Sequence, residues 1–167
     1  MKLRIFKYNK KLRERFEKEK RRISRVVGMC EIHHIGSTAV QELGGKGIVD
    51  IMIGVKDWKE AKENTQKLKE LGFTHIHPKE KGKIFLSKDR RLSLDNVHIH
   101  IVKIGSIAYK ELLFFRDYLR NNKKELKRYY DLKLECQKES NGDRNEYGKL
   151  KEKYIKGILK LRSSLKK

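Results

Sequence analysis

The run Ile48-Val-Asp-Ile-Met-Ile-Gly-Val55 is apolar at every place except Asp50 and Gly54. A short run this rich in β-branched residues, and too short for a buried helix, is expected to be a central strand covered on both faces. A carboxylate inside such a strand carries a desolvation cost that packing alone does not return. Asp50 therefore marks a place where the fold serves chemistry. The stretch before it, Glu31 to Gly47, has the look of a partner: an apolar strand over Met29–Ile35, a turn opened by Gly36, and a flexible connector in which Gly44, Gly45 and Gly47 bracket Lys46.

Other elements follow from periodicity and stop signals. Met1 to Tyr8 is read as an extended lead-in. Asn9–Val27 has Leu12, Phe16, Ile23, Val26 and Val27 near one face, with Asn9 as N-cap and Gly28 as stop. Asp57 and Glu60 form a capping box for a helix running to about Leu71, ended by Gly72. Phe73–His77 is a short strand stopped by Pro78. A polar turn over Lys79–Lys83 leads to a returning strand, Ile84–Ser87. Lys88–Asn96 is a basic loop with a short Leu92–Leu94 strand. Val97–Val102 alternates strictly at its start, with Val97, Ile99 and Ile101 on one face and His98 and His100 on the other. From Gly105 the pattern is helical in three segments, Ser106–Arg120, Asn122–Lys138 and, after the capping box Asp143/Glu146, a helix to about Leu161. The chain has 167 residues, no internal repeat and no long linker. The expectation is one domain over 1–167, with a core over 1–104 and a helical segment over 105–167.

A glycine directly after a strand lets backbone approach a ligand, and Ser37 and Thr38 beside it supply hydroxyl and amide donors for a phosphate. Asp50, on a neighbouring strand, is placed to hold Mg²⁺ that bridges phosphates. A phosphate cradle beside a metal-bearing carboxylate is the layout of nucleotidyl transfer. Gly-Ser turns before an acidic strand are common, so the pattern is a weak signal by itself. His98 and His100 share a face and converge with Asp50 if their strands are neighbours. Two imidazoles and a carboxylate are a credible ligand set for Zn²⁺, Mn²⁺ or Fe²⁺. His34 is a further candidate, as a ligand or general base; His33 should face the other way. Lys46 is a candidate for a phosphate contact, as are Arg90 and Arg91. Tyr130, Tyr147 and Tyr154 fall at helical spacings among leucines and read as packing residues.

The run His34-Ile-Gly-Ser-Thr-Ala-Val40, then Lys46, then Ile48-Val-Asp-Ile51, resembles the signature of the GrpB-like proteins, a branch of the nucleotidyltransferase superfamily also found fused to some bacterial dephospho-CoA kinases. His98-Ile-His-Ile-Val102 resembles that family's second signature. Phe115-Arg-Asp-Tyr-Leu-Arg120, with Tyr130, Lys133, Tyr147 and Lys153, resembles its C-terminal pattern. The similarity covers nearly the whole chain. Gln41-Glu42 stands where the family has Pro-Gly, and Gly47 where it has Pro. The resemblance implies an α+β fold: a nucleotidyltransferase-like mixed β-sheet packed by helices, with about three C-terminal helices. It implies a nucleoside triphosphate as substrate and a divalent metal, Mg²⁺ or Mn²⁺. Asp50, His98 and His100 would be the catalytic and metal residues, and His34, Gly36, Ser37, Thr38 and Lys46 the nucleotide-binding ones. Lys133 and Lys153 would reach the cleft. Active members of the superfamily keep two acids one residue apart on the strand, and Met52 stands at the second place. The alternative is therefore a module that binds a nucleotide, a coenzyme or RNA without catalysis.

Charge bears on partners. Lysine and arginine total 43 against 22 acids, a net charge of +21. That excess, beyond what solubility needs, points to a phosphate-bearing ligand or to nucleic acid; a third reading is a hot or salty interior, with another protein as the partner. Cys30 and Cys136 form no CxxC pair or zinc pattern, which suggests reduced intracellular thiols. No stretch has the length and apolarity of a signal peptide or membrane span, so the expected location is cytoplasmic and no membrane partner is expected.

Overall fold

The computed structural model describes residues 3–80, 82–88 and 97–164. Helix α1 (Lys11–Val27) leads into strand β1 (Glu31–Ile35), a 3-10 turn (Ser37–Ala39) and strand β2 (Val49–Val55). Helix α2 (Trp58–Lys69), strands β3 (His75–Glu80), β4 (Lys83–Ser87) and β5 (Val97–Lys103), and helices α3 (Ile107–Asn121), α4 (Lys123–Glu139) and α5 (Arg144–Ser164) follow. The strands form one mixed sheet in the order β1-β2-β5-β4-β3. Only the central pair, β2 with β5, is parallel; β1 with β2, β5 with β4 and β4 with β3 are antiparallel. The expected central strand is thus central, with β1 on one side and the histidine strand on the other.

Each face of the sheet has its own cover. Val49, Ile51, Ile53, Ile99 and Ile101 point toward α1 and α2, where Phe16, Ile23, Ala61 and Leu68 close a dry core. On the opposite face Ile35, Met52 and Val102 lie under α3, against Tyr109, Leu112 and Leu113. That apolar patch covers one end of the second face and leaves Asp50 beyond it. The C-terminal helices form a separate cluster around Leu119, Tyr129 and Ile158, into which Val40 and Leu43 insert. The loop after the 3-10 turn is therefore anchored in the helical segment.

The local stop signals act largely as read. Gly28 ends α1 at φ 78° with its amide on the Ser24 carbonyl. Asp57 accepts from the Glu60 amide, while Glu60 reaches back one residue further than expected, to the Lys56 amide. Asn9 lies one residue outside the N-cap, where Lys10 stands, and its side chain accepts from the Lys11 amide. Pro78 does not stop its strand. β3 runs through it with a register shift between His77 and Glu80, which an edge strand tolerates because its outer N–H row has no partner to lose. Arg90, Arg91 and the Leu92–Leu94 strand lie outside the described residues. Among those described, no helix is long and apolar enough to cross a membrane.

Candidate functional site

Asp50 projects from the face of β2 that α3 only partly covers. The parallel register sets it opposite His98, and Met52 opposite His100, so both imidazoles share its face. His98 Nδ1 and His100 Nε2 each lie 3.4 Å from Asp50 Oδ1. The structure brings together the three residues singled out as a ligand set. Phe85 on β4 backs both rings, with centroids 4.8 Å and 5.2 Å away. Asp50 keeps 24% of its side chain exposed against 9% for His98, so an incoming ligand meets the carboxylate first.

Burial works against the charged form of Asp50, but hydrogen bonding and attraction from His100 and His98 outweigh it and hold the carboxyl well below the usual carboxylate range. Burial pulls the His100 imidazole down, with hydrogen bonding and attraction from Asp50 opposing. An ionised carboxylate is the form that binds a metal. Among the described residues no group of three or more His, Cys, Asp or Glu side chains is arranged as it stands to hold a metal ion, Asp50 with His98 and His100 included. A single carboxylate suits one divalent ion and not a pair.

Gly36 sits against the acid. Its φ of +70° favours glycine, and a Cβ there would come within 2.5 Å of Asp50 Oδ2. Ser37 then points toward Gly45, whose own missing Cβ leaves room for the Ser37 hydroxyl. Beyond lies a group of lysines. Lys133 on α4 is buried and donates to the Gly44 carbonyl. Lys46 from the connector and Lys151 from α5 flank the Tyr147 ring, at 5.9 Å and 4.3 Å from its centroid. Burial, then repulsion from Lys151 and Lys46, pulls Lys133 down to about 7, and burial with repulsion from Lys46 pulls Lys151 down to about 8. Lys46 is lowered by burial too. Asp50 is the acid that favours the charged form at all three. Lys133 feels repulsion from both Lys46 and Lys151, and with Asp50 the one carboxylate offsetting them the group is short of negative charge.

Two expected members are not brought to this cleft. His34 neighbours Ile51 in the register and so faces α1, on the opposite side of the sheet from Asp50. It stacks on Phe16 at 4.4 Å, and its Nε2 lies 2.9 Å from the Thr38 hydroxyl, which is thereby turned away from the cleft too. Burial pulls His34 down to about 4; Asp50 opposes this, while Arg120, Arg116 and Arg13 add to it. The alternation along β1 that sends His33 one way sends His34 the other, and the side that carries Asp50 is that of Ile35 and His33. Lys153 is exposed and lies beside Tyr154 and Gly157, away from the lysine group. Its place is taken by Lys151, which sequence reading missed. The signal was present: Tyr147, Lys151, Tyr154 and Ile158 follow the inward stripe of α5 at spacings of four, three and four.

A second missed feature holds the turn in place. Arg116, paired with Asp117 at 2.7 Å and 2.9 Å, donates to the His34 carbonyl at 3.1 Å. Arg120 donates twice to the Ala39 carbonyl, at 3.0 Å and 2.7 Å. One helix thus grips both ends of the Gly36–Thr38 turn. Tyr147 is buried and Tyr154 stacks on Tyr129 at 5.2 Å, which agrees with their reading as packing residues.

A mixed sheet carrying a Gly-Ser turn beside a strand acid, closed by helices, defines a nucleotidyltransferase-like fold. Consistent with this, a Cid1 poly(U) polymerase structure with Mg 3'-dATP bound superposes with a TM-score of 0.56 at 13% identity, over 86% of this chain and 49% of that one. The GrpB protein family model matches residues 2–161, and the chain belongs to that family. Glutamate-rich protein GrpB of Alkalihalophilus pseudofirmus is 32% identical over 86% of each chain. The UPF0157 protein YqkA of Bacillus subtilis is also 32% identical, over 93% of this chain, which spans 46% of that relative's length. Conserved protein GrpB from Enterococcus faecalis has the same fold, with a TM-score of 0.83 at 24% identity over 94% of this chain and 95% of that one.

Proposed function

We propose that the cleft beside Asp50 binds a nucleoside triphosphate and transfers its nucleotidyl group to an acceptor with the help of one divalent metal, Mn²⁺ or Mg²⁺. The observation that carries the reading is an ionised Asp50, flanked by two imidazoles, close enough to buried Lys133 and half-buried Lys151 and Lys46 to favour their charged forms. Asp50, with His98 and His100, would hold the metal. A metal held there would supply neutralisation of phosphate charge and activation of the acceptor hydroxyl. The protein's own part is electrostatic and positional. Ser37 and the lysines hold the outer phosphates, and the charge that develops on the departing pyrophosphate falls where the ammonium groups are already fixed. Arg116 and Arg120 keep the turn in register with Asp50. In this reading Gly36, Ser37 and Lys46 meet the nucleotide, while Thr38 and His34 pack beneath the turn.

One observation favours a second reading, a module that binds nucleotide without transfer. Met52 is fully buried beneath α3 at the place of the second acid, so that site is filled by packing and a second ion has no carboxylate there. The two readings separate in one experiment. Calorimetric titration of ATP, GTP, CTP and UTP with Mn²⁺ measures binding, and pyrophosphate release in the presence of candidate acceptors measures transfer. Binding with release that is lost in Asp50→Asn supports transfer. Binding without release supports the module, and no binding of any triphosphate overturns both.

A further inference from the structure

The Gly36–Thr38 turn has a second side. The extended segment before α1 crosses the connector there, with Phe6 and Gly45 exchanging two backbone hydrogen bonds at 2.8 Å and 2.9 Å. This crossing and the start of α1 enclose a hollow of about 340 Å³ lined by Phe6, Lys7, Tyr8, Lys11, Arg15 and Gly45, with no acidic residue among its walls. A larger hollow of about 620 Å³ continues from it, for Tyr8 and Thr38 line both. Its walls bring Arg13 from α1, Arg120 from α3 and Lys123 at the start of α4; Glu17 and Glu42 are its acids. His34 is the floor; burial holds it neutral against Asp50, and Arg120, Arg116 and Arg13 add to the lowering.

Together the hollows make a groove with six cations, two acids and the rings of Phe6 and Tyr8 at its edge. Phe6 is 38% exposed although it is a large apolar side chain. A row of cations that tracks a backbone, with aromatic faces between them, is what a single strand of nucleic acid requires: phosphates against the ammonium and guanidinium groups, bases against rings. A double helix needs a broader surface than a groove of this kind gives. The groove also meets the proposed nucleotide pocket. Gly45 is part of its wall, and Ser37 and Lys133 lie against Gly45. We propose that this groove holds a single-stranded nucleic acid whose end reaches the cleft as the acceptor, an inference that rests, for the acceptor role, on the transfer reading above.

The test is fluorescence anisotropy with a labelled single-stranded RNA of about 12 nucleotides, in chelator so that the metal site plays no part, over about 50–300 mM salt. The five cations other than Arg120, whose guanidinium already holds Ala39 and Asp117, predict a log–log salt slope of about −3.5 for a single strand. Lys7→Glu with Lys11→Glu should weaken binding roughly 10- to 100-fold and flatten the slope by about 1.4. Lys62→Glu with Lys69→Glu, the same charge change on the exposed side of α2, should cost less than roughly threefold. No binding, a salt-independent affinity, equal losses in the two double variants, or equal competition by a duplex of the same length each overturn the proposal. Failure of the transfer reading is distinguishable. Strand binding that persists in Asp50→Asn, without strand extension by the unaltered protein, keeps the groove and removes the transfer. Triphosphate binding without strand binding does the reverse.

Discussion

The two lysines with lowered pKa values make triphosphate affinity depend on pH in a calculable way. In the free protein Lys133 titrates near 7 and Lys151 near 8, against an ordinary value of 10.5. The phosphates supply the missing counter-charge, so both lysines are protonated in the complex and binding takes up the protons they lack. Above pH 7 affinity must therefore fall. From pH 7 to 8 the protonated fraction of free Lys133 goes from one half to about one tenth, and that of Lys151 from about nine tenths to one half. The product predicts roughly tenfold weaker binding, about 1.4 kcal/mol, and a further loss of roughly fifty-fold from pH 8 to 9. Calorimetry of ATP in chelator, repeated in buffers of different ionisation enthalpy, should show uptake of about 1.4 protons at pH 8. In Lys133→Met, overall binding weakens and the fall from pH 7 to 8 shrinks to about twofold, the share of Lys151. Affinity that stays flat from pH 7 to 9 in the unaltered protein would refute the assignment of these lysines to the phosphates.

Other consequences follow from single contacts. Gly36→Ala places a Cβ against Asp50 at a backbone angle that side chains rarely adopt, and should cost about 1–3 kcal/mol in denaturant melts together with loss of Mn²⁺ binding. Met52→Asp restores the missing acid on paper but buries a charge under Leu112 and Leu113; it should destabilise the fold by at least about 3 kcal/mol and give no gain in transfer. Arg120→Met removes two charged hydrogen bonds to Ala39 from a side chain 43% exposed; a loss of about 1–2 kcal/mol is expected, with weaker triphosphate binding and strand binding alike.

The sequence carried the sheet more fully than the cleft. Strict alternation in Val97–Val102 and the unbroken run around Asp50 are period-two signals, which name both the element and the face, and the register then had little freedom left. His34 shows the limit of that reasoning. Its alternation with His33 was legible, but which of the two shared a side with Asp50 depended on where the Gly36 turn returned the chain, and that is a tertiary fact. Pro78 was read by its usual effect, although at an edge strand the lost donor costs nothing. Lys151 was hidden among the many lysines of α5, since its type gave no contrast and only helical phase marks it as inward. The groove behind Thr38 could not be read at all, because its cations come from the lead-in, α1, α3 and α4 and meet only after folding.

The central claim is that one cleft holds phosphates between Ser37 and the lysines and a metal on Asp50. A crystal of the protein grown with Mn²⁺ and a non-hydrolysable nucleoside triphosphate tests it in a single measurement, read at the manganese absorption edge. The account predicts an anomalous peak at the Asp50 carboxylate beside His98 and His100, with the outer phosphates between the Ser37 hydroxyl and the Lys133 ammonium. Nucleotide bound elsewhere, or manganese absent from Asp50 while nucleotide is present, would contradict it.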